Sequence, residues 1–250
     1  MMRSVAAALI ATALLMPGAA AADELSFCYD PYPPYTLGSE GAPTGGLKVK
    51  LLEAVVARID GVTARVELLP WKRCQQDVKA GMYDGILPLF PNDERRTYMA
   101  FSDPTIHQDS VFWYSRAHHP QGLSWDGDAT TLSHLTLGML RGSYIDSAVE
   151  DTFSVVQRLE RADSVAALFL MLEHGRIDLV AIDAAVGRYT VKHQDTHDAF
   201  EQVERPISTR ASAFGLSRVT GADRHIEAFN TAIAALRQSG ALQAIQNDTP

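Results

Sequence analysis

Apolar residues recur along this chain at spacings that alternate between strand and helix. Leu25 to Cys28 reads as a short strand. Leu51, Leu52, Val55, Val56 and Ile59 follow at helical spacing and predict a helix over Leu47 to Asp60, stopped by Gly61. Thr63 to Leu69 alternates as a strand. Trp71 to Ala80 reads as a second helix, with Trp71, Cys74 and Val78 on one side and Gly81 closing it. Asp84 to Phe90 is an apolar strand that Pro91 breaks. Tyr29 to Tyr35 (YDPYPPY) is a stiff aromatic loop, because its prolines lack N–H donors and fix φ. Leu135 to Leu140 is a further strand. Arg141-Gly142-Ser143 then opens a helix whose first N–H groups would suit an anion.

One unit occurs twice. KAGMYDGIL at 79–87 runs helix end, Gly, two residues, Asp, apolar strand, and EHGRIDLVAI at 173–182 repeats that order around Gly175 and Asp178. The helix before the second copy is Val165 to Leu172, with Ser164 as its N-cap. Two such units, about 94 residues apart, predict two α/β lobes. In open α/β sheets, ligands bind beyond the carboxyl ends of the strands. That rule selects the aromatic loop after Cys28, Trp71 after Leu69, Asn92 to Arg96 after the strand ending at Phe90, Ser143, and Asp183.

The N-terminus changes the picture from a cellular domain to an exported one. MMRSVAAALIATALLMPGAAAA places Arg3 before an apolar run at 5–16, then Pro17-Gly18 and small residues. That is the layout of a secretory signal peptide, cut near Ala22, and its apolar run is too short for a permanent anchor. The mature chain would have about 228 residues, enough for two lobes. The chain carries 22 basic and 30 acidic residues, and losing Arg3 leaves the mature form at a net charge of about −9. Such a balance argues against a nucleic-acid partner. It leaves room for an anionic ligand held by one buried arginine. Cys28 and Cys74, the only cysteines, either form a disulfide in an oxidising compartment or remain two buried thiols.

Other signals are weak. His193 and His197 share helical i, i+4 spacing but have no third ligand, so a solvated surface is the reading and no metal is expected. Asp126-Gly127-Asp128 lacks the later ligands of a calcium loop. Neither a nucleophile elbow nor a glycine-rich phosphate loop occurs, and no cofactor is expected.

Taken in order, several segments resemble the family 3 extracellular solute-binding proteins, the periplasmic receptors for polar amino acids that serve ABC transporters. They are Asp30 to Tyr35, Thr44-Gly45-Gly46-Leu47 with Val49, Ala80 to Ile86, Asp93-Glu94-Arg95 with Phe101-Ser102-Asp103-Pro104, Gly142-Ser143, Gly175 to Asp183, and the closing Ser239-Gly240-Ala241-Leu242. The resemblance implies an α/β, two-lobed periplasmic binding protein fold of type II with two crossover hinge strands. Lobe one would comprise 23–112 and 209–250, and lobe two 116–205, with hinges near 112–116 and 205–209. It also implies roles. Arg95 would hold a ligand carboxylate as a fork, helped by Gly142 and Ser143. Asp183 would pair with a ligand ammonium. Tyr32 and Trp71 would sandwich the ligand's side chain. With neighbouring first and second strands, a Cys28–Cys74 bridge would tie the aromatic loop to the Trp71 helix.

The chain departs from that family at Pro88-Leu89-Phe90-Pro91-Asn92. Amino-acid binders usually place serines and a threonine there to cradle the ammonium. Pro88 and Pro91 have no N–H, and Leu89 and Phe90 have no polar side-chain group. Phe90 and Asn92 therefore join the candidate site as parts of a rebuilt amine end. The expectation is a monomeric periplasmic receptor that closes on a small carboxylate-bearing ligand and presents it to a membrane permease. The alternatives are a sensor subunit, or a periplasmic enzyme of the cyclohexadienyl dehydratase kind on the same fold.

Overall fold

The computed structural model describes residues 22–41, 43–141, 153–193 and 197–248. Three parallel strands build one half: β1 (Asp23–Tyr29), β4 (Val62–Leu68) and β5 (Gly85–Leu89), in the order β4-β1-β5. Two short strands, β2 (Leu37–Gly38) and β3 (Pro43–Gly45), form a separate ribbon. Helices α1 (Leu47–Val56) and α2 (Trp71–Lys79) connect the parallel strands, and the four-residue α3 (Asp93–Arg96) follows β5. The predicted first helix is shorter than its apolar stripe, because a turn from Ala57 carries the chain to Gly61.

The other half is built from β8 (Thr136–Leu140), β9 (Arg158–Ala162) and β10 (Leu179–Asp183), parallel in the order β10-β8-β9. Helices α4 (Val165–Glu173) and α5 (Ala184–Lys192) flank β10. Ser164 caps α4 by accepting a hydrogen bond from the Ala167 amide at 3.2 Å.

Two long antiparallel strands join the halves. β7 (Ile106–Ser115) and β12 (Ser208–Ser217) pair with each other over 106–110 and 208–212. Beyond that stretch β12 pairs with β5 and with the short β6 (Met99–Phe101), whereas β7 pairs with β10 and β11 (Phe200–Gln202). The crossing is thus the stretch in which Ile106–Ser110 pairs with Ser208–Ser212; it precedes the expected first hinge span at 112–116 and meets the second, 205–209, at Ser208 and Thr209. The chain ends with α6 (Ile226–Gln238) and α7 (Ala241–Asn247) on the first half. This is the two-lobed α/β architecture of type II binding proteins.

Each lobe has its own aromatic centre. Phe27, Phe214 and Phe229 are fully buried, with ring centroids 5.4–6.3 Å apart. In the second lobe Phe112 meets Trp125 and Phe153 edge-on, while Trp113 and Phe200 flank Phe169. Pro88 is tolerated in a central strand because the β5–β12 pairing is irregular there: Ile86 pairs with Gly215 and Leu89 with Ala213, and β1 pairs only with Gly85 and Ile86. Cys28 and Cys74 are bridged, with Cα atoms 5.7 Å apart, so the disulfide is the alternative realised. It ties β1 to the first turn of α2.

Candidate functional site

A cavity of about 180 Å³ lies where the two lobes face each other. The first lobe contributes Asp30, Tyr32, Lys48, Trp71, Phe90 and Arg95, the second contributes Met139, Phe153, Ile182 and Asp183, and the crossing strands contribute Gln108, Ser110, Ser208 and Arg210. Asp30, Tyr32, Trp71, Phe90 and Arg95 follow strand ends and Asp183 closes one, as parallel-sheet geometry requires.

Arg95 is 6 % exposed despite its charge. Its position is set from both sides. Asn92 caps α3 by accepting from the Arg95 amide at 2.8 Å, and the Arg95 Nη1 donates to the Phe90 carbonyl at 2.6 Å. The guanidinium also lies over the Trp71 ring, 5.3 Å from its centroid. Asn92 itself does not line the cavity; it positions Arg95. Phe90 lines it, and its ring lies 4.1 Å from the Arg210 guanidinium carbon.

The aromatic loop and α1 are built as one piece. The Leu47 and Lys48 amides at the helix start donate to the Pro34 and Tyr35 carbonyls. Gly46 permits this approach: its φ is 111°, and a Cβ there would sit 2.4 Å from the Tyr35 carbonyl oxygen. The junction fixes Lys48 at the cavity and Tyr35 beside it, against Asp183. Lys48 is 1 % exposed; its ammonium donates to the Tyr29 hydroxyl and lies over the Tyr29 and Tyr35 rings. Burial pushes the Lys48 ammonium well below the usual lysine range, against the pull of Asp30. Burial likewise raises the Asp30 carboxyl, and Lys48 draws it back.

Asp183 sits at the junction of β10 and α5. Its Oδ1 accepts from the Ala185 and Val186 amides at 2.9 and 3.0 Å, capping α5. The Tyr35 hydroxyl reaches across from the first lobe to both carboxylate oxygens, at 3.0 and 2.9 Å, and the Gln108 Nε2 donates to Oδ2 at 3.1 Å. Burial and the Asp183 charge together hold the Tyr35 hydroxyl protonated, far above the ordinary tyrosine range.

Of the residues selected from sequence, Arg95, Asp183, Tyr32, Trp71 and Phe90 line one cavity. Gly142 and Ser143 lie outside the described residues. Tyr32 stacks on Tyr35 with centroids 6.0 Å apart. Lys48, Tyr35, Gln108 and Arg210 were not selected. A signal existed for Lys48, which precedes Leu51, Leu52 and Val55 by three, four and seven positions and so lies on their apolar stripe. His193 stacks on Tyr189 with its Nδ1 2.8 Å from the Tyr189 carbonyl, and no cluster of metal-binding side chains occurs among the described residues.

The sequence profile of the bacterial extracellular solute-binding proteins, family 3, matches residues 25–248. Among curated proteins, no sequence matches the chain significantly. Solved structures resemble it at low identity. An amino acid ABC transporter substrate-binding protein from Streptococcus pneumoniae, bound to L-arginine, superposes with a TM-score of 0.72 at 17 % identity, covering 90 % of this chain and 94 % of that one. An ancestral arginine-binding protein bound to arginine gives 0.74 at 20 % identity, over 92 % and 99 %. A histidine kinase sensor domain similar to periplasmic binding proteins gives 0.74 at 18 % identity, over 91 % and 95 %. At these identities the likeness carries the fold. The profile carries the family: the chain belongs to the family 3 extracellular solute-binding proteins.

Proposed function

We propose that this chain is an exported receptor that closes its two lobes on a small carboxylate and presents the closed form to a membrane permease. The lobes are residues 23–105 with 213–250, and 111–207, and the hinge is the paired stretch of β7 and β12. Arg95 supports this reading most: a buried guanidinium, held by a backbone carbonyl and an indole face, at the wall of an inter-lobe cavity. A desolvated arginine in such a place favours a carboxylate over a neutral group. Tyr32, Trp71 and Phe90 supply apolar contact for the rest of the ligand. No described helix is long and apolar enough to cross a membrane, which fits a chain released after export.

The fold shared with a histidine kinase sensor domain favours sensing as the second reading, since closure would be read by a different partner. Thermal-shift screening against small carboxylates and amino acids tests the receptor role, because a ligand of the folded state raises its melting temperature. For any carboxylate that binds, Arg95→Ala is expected to weaken affinity by about a hundredfold or more in calorimetry, as loss of a buried charge partner does. Unchanged affinity in a variant with native circular dichroism overturns the assignment.

A further inference from the structure

The Asp183 carboxylate, expected to meet a ligand ammonium, has its acceptors taken within the protein. A carboxylate offers about four lone-pair sites. Four donors point at this one: the Ala185 and Val186 amides, the Tyr35 hydroxyl and the Gln108 amide. The segment before Arg95 is in part engaged already. The Phe90 carbonyl accepts from Arg95, and so does the Asn92 side chain. Lys48 adds a buried cation beside Tyr35. An entering ammonium, with three donors and a full charge, would have to displace an existing bond at Asp183 or compete with Lys48 for Asp30, the other carboxylate of the lining, and either is costly.

Gln108 presents the opposite case. It is 6 % exposed and lines the cavity, and its Oε1 has no hydrogen-bond partner. The amide orientation follows from its neighbour, because exchanging O and N would aim Oε1 at the Asp183 carboxylate. A single buried acceptor with nothing to accept is a place for one neutral donor.

We infer that the ligand is a small carboxylic acid whose second polar group is a neutral donor, a hydroxyl in the simplest case, received by Gln108 Oε1, and that the Tyr35 hydroxyl excludes the corresponding amino acid by occupying Asp183. This rests on the receptor reading above, in which Arg95 takes the carboxylate.

The test uses matched 2-hydroxy and 2-amino acids on one skeleton: lactate with alanine, glycerate with serine, 2-hydroxyglutarate with glutamate, and 3-phenyllactate with phenylalanine. Affinity is measured by calorimetry on the mature protein. For the best skeleton, the hydroxy acid is expected to bind at least tenfold more tightly than its amino partner. Tyr35→Phe keeps the ring and releases an acceptor of Asp183, so the amino-to-hydroxy affinity ratio should rise at least tenfold. A general loss of folding would weaken both partners and leave that ratio unmoved. Arg95-dependent binding of an amino acid as tight as its hydroxy partner overturns this inference and leaves the receptor reading standing. So does a ratio unchanged in a Tyr35→Phe variant that keeps the native circular dichroism and melting transition. Binding of no member of any pair overturns the hydroxy-acid assignment, while the wider carboxylate screen still decides the receptor.

Discussion

The two lobes carry the same junction and end it differently. After α2, the Gly81 amide donates to the Val78 carbonyl and the Met82 amide to Asp77; after α4, the Gly175 amide donates to Leu172 and the Arg176 amide to Met171. Both are Schellman endings with left-handed glycines, at φ 76° and 63°. Three residues on, an aspartate joins the next strand to its neighbour. The Asp84 amide donates to the Ser26 carbonyl while its carboxylate accepts from the Ser26 amide, and Asp178 does the same with Thr136. Beyond the strands the lobes diverge. The first runs into Pro91 and the buried Arg95, the second into Asp183 at the start of α5. A common frame therefore determines where the cavity-facing residues stand, and the residues at and just past each strand end determine their charge. Only the first frame carries a disulfide, between β1 and α2.

The disulfide is the largest asymmetry and the largest expected effect. It closes a loop of 46 residues, for which chain-entropy reasoning gives about 4 kcal/mol. Cys28→Ser with Cys74→Ser, or reduction of the native chain, should lower the melting temperature by roughly 10 °C for a protein of this size. Calorimetry with and without reductant measures this. A fall under about 2 °C would mean that the first lobe, like the second, is held by its packing alone.

The aspartates come next. Asp84 accepts from both the Ser26 amide at 2.9 Å and the Ser26 hydroxyl at 2.7 Å. Asp178 accepts from the Thr136 amide at 2.7 Å and faces the His119 Nε2 at 3.4 Å. Asp84→Ala is expected to cost about 2–3 kcal/mol and Asp178→Ala about 1–2, since a bond to a charged acceptor exceeds a neutral one and loss of the carboxylate strands a backbone donor. Urea unfolding checks the order, and equal losses would erase the distinction between the lobes. The Asp84 case also has a pH signature. Burial raises its pKa, but the Ser26 amide and hydroxyl lower it further, leaving it below the ordinary aspartate value. A depressed folded pKa contributes stability above the unfolded value near pH 4, lost as pH falls through the folded value. The gap between native protein and Asp84→Ala should therefore narrow below about pH 4.

These junctions were legible because they are local. Helical spacing, a glycine at the helix end and an aspartate three residues later all lie within a dozen positions, and their recurrence announced two lobes. Arg95, Asp183, Tyr32 and Trp71 could be chosen because they stand at or past strand ends, and Phe90 because Pro88 to Asn92 departs from the family pattern; all five share one cavity. What joins them was not legible. The Tyr35–Asp183 contact spans 148 positions, and Gln108 and Arg210 sit inside strands whose pattern says only that they cross. A polar side chain within a strand shows neither its neighbour across the cleft nor which of its atoms lacks a partner. Lys48 was legible in principle, as a cation on an apolar stripe of leucines and valines.

The matched glycines give the finest comparison. A left-handed conformation costs a residue with a Cβ about 1–2 kcal/mol, so Gly81→Ala and Gly175→Ala should each destabilise by about that amount. Their surroundings break the tie. A Cβ at Gly81 would come to 3.0 Å from a methyl of Val219, an exposed side chain that can rotate away. At Gly175 it would come to 2.8 Å from the His118 Cε1. The His118 Nε2 lies 3.0 Å from the Glu173 carbonyl at the end of the same helix, so moving the ring gives up that contact. Gly175→Ala should therefore cost more than Gly81→Ala by about 0.5 kcal/mol, the net worth of an exposed hydrogen bond. Paired with His118→Ala, the excess should vanish in a double-mutant cycle. An excess that survives the cycle would place the difference in the backbone turns themselves, and the two junctions would no longer be equivalent.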